Sequence, residues 1–265
     1  MSGRSRGGLR GMGIVKSNLA ISLDGFSSAP GQSREEPFGV GGGRLTEWMF
    51  ETDLPGREAD AAIRGTWSDG VGAFVMGRHM FGGYAGEWDL SWRGWWGEEP
   101  PYHAPVFVLT HHARAPLPMA GGTTFHFVTD GIEPALKQAQ AAAGDQAVSI
   151  AGGATTVRQY LAAGLLDELL VHVVPVVLGD GERLWDGLDG LAAEPTEVIP
   201  SPTVTHVRDR ITQPDNGESP FSRRRVAILV TPARAGRATG PRRIADTACR
   251  KRRLAVSRGG GGGRG

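Results

Sequence analysis

The sequence predicts an α/β fold in which helices cover both faces of a sheet, and three stretches carry that prediction. Residues 147–178 read as a buried strand (147–150), a glycine break at Gly152 and Gly153, a helix over 154–163, and a second apolar strand over 169–174 closed by Pro175. Residues 73–76 form a short apolar strand that Gly77 turns into a helix from about Arg78, a second unit of the same kind. Between the two units, strands over 105–110 and 124–128 lead to a helix with Asp130 as its N-cap. Its Ile132, Ala135, Leu136 and Ala139 lie at helical spacing.

The remaining elements follow in order. Residues 13–22 alternate loosely and end at Leu23-Asp24-Gly25, a strand running into a turn. Residues 29–44 are rich in glycine, proline and charge and predict a surface loop long enough to act as a lid. Residues 44–51 and 56–67 read as helices, the first with Leu45, Trp48 and Met49 on one face. Residues 84–103 carry Trp88, Trp92, Trp95 and Trp96 with neither period. These rings either pack against the domain or wall a pocket. Residues 197–200 and 204–211 read as closing, antiparallel strands. The predicted organisation is a flexible extension (1–12), one domain (13–212) and a disordered Arg/Gly-rich tail (213–265), with Met12 an alternative start.

Charge and composition exclude several classes. Residues 13–212 hold 13 Lys and Arg against 25 Asp and Glu, a net of −12, whereas residues 213–265 hold 13 against 3, a net of +10. The tail could meet RNA non-specifically through charge, but beyond Phe221 it has no aromatic to stack on bases. Cys249, the only cysteine, lies in that tail, so the body has neither a disulfide nor a thiol nucleophile, as suits a reducing cytoplasm. No apolar run approaches the roughly 18 residues of a membrane span, and residues 1–11 lack the apolar stretch of a signal peptide. The glycines at 39 and 41–43 miss the dinucleotide fingerprint, which needs glycine where Arg44 stands, and no lysine completes a P-loop. The seven histidines offer no H-x-x-x-H pair, so no metal is expected. Asp167-Glu168 reads as a solvated turn.

The glycine units admit two readings. A residue without a Cβ lets the backbone approach a ligand, and the free amides of Ala154, Thr155 and Thr156 at a helix start favour an anion. Alternatively, the glycines only turn a strand into a helix.

Several segments then occur together in a recognisable order. They are Ser22-Leu23-Asp24-Gly25-Phe26, Met76-Gly77-Arg78 with Phe81, Val108-Leu109-Thr110-His111-His112, Ile150-Ala151-Gly152-Gly153 with Gln159-Tyr160-Leu161, Leu166-Asp167-Glu168-Leu169, and the run from Pro175 to Gly181. Over residues 13–212 this pattern resembles the dihydrofolate reductase-like superfamily, and within it proteins built on the C-terminal reductase domain of the bacterial bifunctional riboflavin deaminase-reductase. The resemblance implies a single three-layer αβα domain with a mixed, mostly parallel central sheet, a homodimer, and NADPH bound across the strand ends. Gly77 and Arg78 would meet the cofactor's phosphate and adenosine half, Thr110, His111 and Arg114 its 2′-phosphate, and Gly152, Gly153, Ala154, Thr155 and Thr156 its pyrophosphate. Asp24 would stand beside the nicotinamide as polar anchor or proton relay, with Glu47 as second candidate. Ser22, Asp24 and Phe26 would line the substrate pocket.

The expected activity is hydride transfer from NADPH to a small heterocyclic, pteridine- or pyrimidine-like substrate. Ala151 stands where the riboflavin-pathway enzyme carries a glutamate, so reduction of 5-amino-6-(5-phosphoribosylamino)uracil is the alternative. From another class, the domain could be a non-catalytic nucleotide-binding module with a polyanion-binding tail.

Overall fold

The computed structural model describes residues 13–82 and 86–212. The extension at 1–12 with Met12, and the tail at 213–265 with Cys249, lie outside the described residues. In chain order the elements are β1 (Val15–Ser22), α1 (Glu47–Phe50), α2 (Glu58–Gly65), β2 (Val71–Gly77), α3 (Arg78–Gly82), β3 (Pro105–Leu109), β4 (Leu117–Pro118) and β5 (Thr124–Val128). They continue as α4 (Ile132–Ala143), β6 (Ala147–Gly152), α5 (Ala154–Ala162), β7 (Glu168–Val174), β8 (Ala192–Pro200) and β9 (Thr205–Thr212).

Among the described residues the strands form one nine-stranded sheet in the order β4-β5-β3-β2-β6-β1-β7-β9-β8. From β5 to β7 every neighbouring pair is parallel, and β4, β9 and β8 add the antiparallel pairings. The mixed, mostly parallel sheet implied by the resemblance is the one observed. The chain crosses from β1 to β2, moves outward through β3 to β5, then returns to place β6 between β2 and β1. Ligands of open α/β sheets bind beyond the carboxyl ends of the strands at such a reversal.

Strand alternation gives the sheet two unlike faces. On one face Ala73, Val75, Val148, Ile150, Leu169 and Val171 form a continuous core with Ala135, Leu136 and Ala139 of α4 and Val157, Tyr160 and Leu161 of α5. Each large aliphatic side chain buried there contributes about 1.5–3 kcal/mol. On the other face the core is broken in two. Phe74, Met76, Val106, Val108 and Phe125 gather under Trp67, Trp88, Trp92 and Trp96 at one side. Leu170, Val174 and Val204 gather under Leu45, Trp48 and Ile63 at the other. The strands between them, β6 and β1, floor the gap on that face with Ser149, Ala151, Asn18 and Ala20. Short side chains between two aromatic clusters leave a groove.

Several expectations need correction. The helix expected over 44–51 is a 3₁₀ turn, Gly42–Leu45, followed by the four-residue α1. The cap of α4 is Gly131 at φ 94, with no side-chain cap bond, so Asp130 is not the N-cap. Asp167 is the exposed bend expected before β7, and its carboxylate also accepts the Val15 N–H at 2.8 Å. Glu168 begins β7 and pairs with Arg208 at 2.6 Å. The tryptophan loop bears out the packing reading, since Trp88 sits 5.0 Å from Phe127, Trp96 stacks at 5.9 Å on Phe125, and the Trp92 indole donates to Phe81 O at 2.8 Å. Trp95 and Trp96 also wall a pocket. No helix among the described residues is long and apolar enough to cross a membrane.

Candidate functional site

A cleft of about 1060 Å³ runs along the carboxyl ends of β2, β3, β5 and β6 and continues into the groove over β6 and β1. Its volume lies at the upper end of ordinary ligand pockets, room for a ligand larger than drug-sized.

One end is built of backbone. Gly152 ends β6 at φ 129, a conformation L side chains rarely adopt, and the Gly152–Gly153 peptide is cis. Gly153 is the N-cap of α5, and a Cβ built on it would meet nothing within 4 Å. A ligand can therefore approach this backbone directly. The Gly153 carbonyl accepts the Thr156 and Val157 amides at 3.0 and 3.1 Å. The amides of Ala154 and Thr155, which precede the first intrahelical bond, face the positive end of the helix dipole. Gly77, at the end of the adjacent β2, has a different reason to be glycine: a Cβ there would fall on the Thr156 hydroxyl. The structure adds an acid that sequence reasoning missed. Glu182 lines the cleft, and its carboxylate accepts the Thr155 hydroxyl at 2.5 Å, so an incoming anion must turn it away.

Next along the cleft come Arg78, Thr110 and His111. The Arg78 guanidinium lies 3.8 Å from the Trp88 ring centroid and donates to Thr110 Oγ1 at 3.5 Å and Glu87 O at 3.2 Å. Thr110 Oγ1 also accepts the His112 amide at 3.1 Å, which fixes the turn that presents His111. Arg114 does not line the cleft. It donates to the Leu90 and Trp92 carbonyls at 3.3 and 2.8 Å and stacks beside Trp88 and Phe127. Its place is that of an organiser of the tryptophan loop.

The other predicted residues lie apart from the cleft. Ser22 Oγ donates to Asp24 Oδ1 at 2.5 Å and accepts the Phe26 amide at 2.9 Å. Asp24 also accepts the amides of Leu178 and Gly179 at 3.1 and 2.7 Å. The Ser22 bond first, and then those two amides, hold its carboxyl at about 2 against an ordinary 3.8. In this structure Asp24 anchors the turn after β1 and is not among the residues lining the cleft. The Phe26 ring lies 5.5 Å from the Arg183 guanidinium, so these residues tie the turn after β1 to the segment after β7. Ser27 and Ser28, which follow, do reach the cleft. Glu47 stands exposed in the first turn of α1 and is not a lining residue.

Replacing Asp24 by Asn should therefore lower the melting temperature at neutral pH and leave the cleft's ligand affinity unchanged. The folded carboxyl titrates below the unfolded one, so its stabilisation is complete above pH 3.8 and lost as pH falls toward about 2. Thermal melts of both proteins from pH 7 to pH 2 should converge at the acid end. A constant gap would contradict this role.

The groove half carries groups that sequence reasoning did not single out. Asn18 of β1 and His172 of β7 line it, with Trp48 of α1. Behind them His172 Nδ1 meets His206 Nδ1 at 2.6 Å, and His206 Nε2 meets Asp60 Oδ1 at 2.9 Å. Asp60 is also bonded by Arg57 and, at 2.7 Å, by the Ser201 hydroxyl. Asp60 and His206 have no exposed surface. The only sequence signal was a polar residue in each of several core elements, too far apart to pair by spacing. No group of three or more His, Cys, Asp or Glu side chains placed to hold a metal ion occurs among the described residues.

With this geometry in hand the comparisons with known proteins are specific. The model of the RibD C-terminal domain matches residues 14–207. The chain belongs to that family. That is the family the resemblance named. Among curated proteins none matches. Among solved structures, a putative riboflavin biosynthesis protein from Shewanella sp. PV-4 is 19% identical with a TM-score of 0.52, over 76% of this chain and 99% of that one. RibD of Acinetobacter baumannii is 18% identical with a TM-score of 0.47, and the match covers 77% of this chain and 59% of that longer one. A dihydrofolate reductase from Enterococcus faecalis, complexed with NADP(H), is 15% identical with a TM-score of 0.43, over 76% of this chain and 98% of that one. At such identities the first of these shows the fold alone.

Proposed function

We propose that this RibD C-terminal domain protein is an NADPH-dependent reductase of a small pteridine- or pyrimidine-like heterocycle, with residues 13–212 as the catalytic unit. One observation carries the reading: a single cleft joins a glycine-built anion end to a groove floored by Ser149, Ala151, Asn18 and Ala20. The residues present suit the cofactor. The open backbone at Gly153 and the amides of Ala154 and Thr155 would hold its pyrophosphate, and Arg78, Thr110 and His111 its 2′-phosphate. Bound there, it would supply a hydride to the acceptor carbon.

The chain's own part is orientation and exclusion of water. Phe38 and Pro37, from the loop expected to be a lid, line the cleft, and that loop is folded on itself by Ala29 N to Phe38 O (2.8 Å) and Val40 N to Pro30 O (3.0 Å). Trp48 and Trp67 wall the groove so that a flat ring can lie over its short-chained floor. Ala151 in that floor leaves no acid where the riboflavin-pathway enzyme has one, which favours a substrate other than the phosphoribosylated uracil.

Titration of the full chain with NADPH and NADH, read by energy transfer from the cleft tryptophans to the nicotinamide, tests the reading. NADPH should bind about tenfold or more tightly than NADH, the worth of a charge-assisted contact or two to one phosphate. No binding of either would sink the reductase reading, and equal affinities would sink the 2′-phosphate site.

A further inference from the structure

The buried chain behind the groove is polarised, and its polarity fixes what the groove offers a substrate. Asp60 is bonded by Arg57, by Ser201 and by His206. Its burial raises the carboxyl, but these bonds prevail and hold it below the usual range, so it is a carboxylate and only accepts. His206 Nε2 must then carry the hydrogen that bonds it. Burial, against the pull of Asp60, keeps His206 from taking a second proton, so its Nδ1 is a lone pair. His172 Nδ1, 2.6 Å away, must in turn be the donor. Burial, followed by His206 and Arg208, pushes His172 down to about 3, so it too is neutral and its Nε2 is a lone pair.

As placed, Nε2 of His172 meets Oδ1 of the Asn18 side-chain amide. An amide oxygen there would set acceptor against acceptor, whereas the amide NH₂ completes the chain, and the two ends of an amide are interchangeable in shape. With its NH₂ on His172, Asn18 turns its carbonyl oxygen away from the chain.

We propose that Asn18 is the substrate-recognition residue of the groove: its NH₂ is held by His172, and its carbonyl oxygen accepts a ring or exocyclic N–H of the heterocycle. His172 and His206 are positioning residues, acting only through Asn18. Trp48 supports the same class of ligand. Its ring lies 4.5 Å from that of His172 and 5.0 Å from that of His206, it lines the cleft, and its buried indole N–H has no hydrogen-bond partner among the described residues.

The inference rests on the reductase reading for the use of the groove, but its test does not. Long-range proton–nitrogen spectra of the full chain, labelled with ¹⁵N at histidine, read which ring nitrogens carry hydrogen. His206 should be protonated at Nε2 alone and His172 at Nδ1 alone at neutral pH. Hydrogen on Nε2 of His172 would overturn the proposal, because Asn18 would then spend its oxygen on that bond. In parallel, uracil and 1,3-dimethyluracil, which lacks the N–H groups, are titrated into the full chain and its Asn18→Leu variant. Wild type should prefer uracil at least tenfold, and Asn18→Leu should abolish the preference. Equal binding of the two by wild type, no binding of uracil, or a preference that survives in Asn18→Leu would each overturn it. NADPH affinity measured in the same samples reports on the reductase reading separately: its loss would sink that reading and leave the histidine and uracil results standing.

Discussion

Gly153→Asp should abolish NADPH binding in a protein that still folds. The fold survives because a Cβ at 153 meets nothing within 4 Å and the residue's φ of −68 is open to any L-amino acid. Aspartate is also among the preferred residues at an N-cap. The cofactor is lost because the new carboxylate would occupy the space of the pyrophosphate and oppose its charge. Two unit charges about 4 Å apart at an effective dielectric near 20 repel by about 4 kcal/mol, on the order of a thousandfold in affinity. Gly153→Ala is the control and should bind within a few-fold of wild type. Equal affinity of Gly153→Asp and wild type, with matching melting curves, would move the pyrophosphate elsewhere.

The second large effect is on stability. Asp60→Ala should cost about 3–5 kcal/mol, the usual penalty for stranding one partner of a buried ion pair. Arg57 has 3% of its side chain exposed and would keep as counter-charge only the half-exposed Glu51, 3.7 Å away, while Ser201 and His206 would lose their acceptor. Denaturant unfolding followed by tryptophan fluorescence measures the loss, and a value under about 1 kcal/mol would mean that water replaces the carboxylate. Acid should act on the same cluster in wild type. Both histidines are held neutral below their ordinary 6.5, so the unfolded chain takes up protons first and stability falls as pH drops below about 6.5.

What could be read from the sequence follows what was buried on a regular period. The strand at 124–128 has the bounds predicted, and the unit of β6, α5 and β7 differs by a residue or two, because each element packs apolar side chains into a core, the strand with Phe125 under the tryptophan loop and the unit against the helix-covered face. Strand β8 was found only over its last residues. It is an edge strand in which Ala192 alone is buried, and Pro195 and Glu197 flank an irregularity, so no period marked it. The glycine turns were found as local signals. Asn18, His172, His206 and Asp60 were not, because they belong to four elements whose meeting is a property of the sheet order. At Asp24 the sequence left two readings, because Asp-Gly is a common turn pair, and the bonds from Ser22, Leu178 and Gly179 are those of a turn.

The two unlike faces of the sheet separate what must be kept from what can drift. The helix-covered face sets the melting point and aligns the glycine turns, so most substitutions there would damage the whole molecule at once. The floor of the groove is made of Ser149, Ala151, Asn18 and Ala20, which span open space between two aromatic walls. An exchange there alters the outline and polarity of a cavity while touching only the fringe of a core cluster, where Ala20 and Ala151 pack. Substrate scope in such a scaffold can change by single steps through stable intermediates, with the hydride source untouched. A lineage, or a laboratory library confined to those positions, could explore new heterocycles while nearly every member still folds.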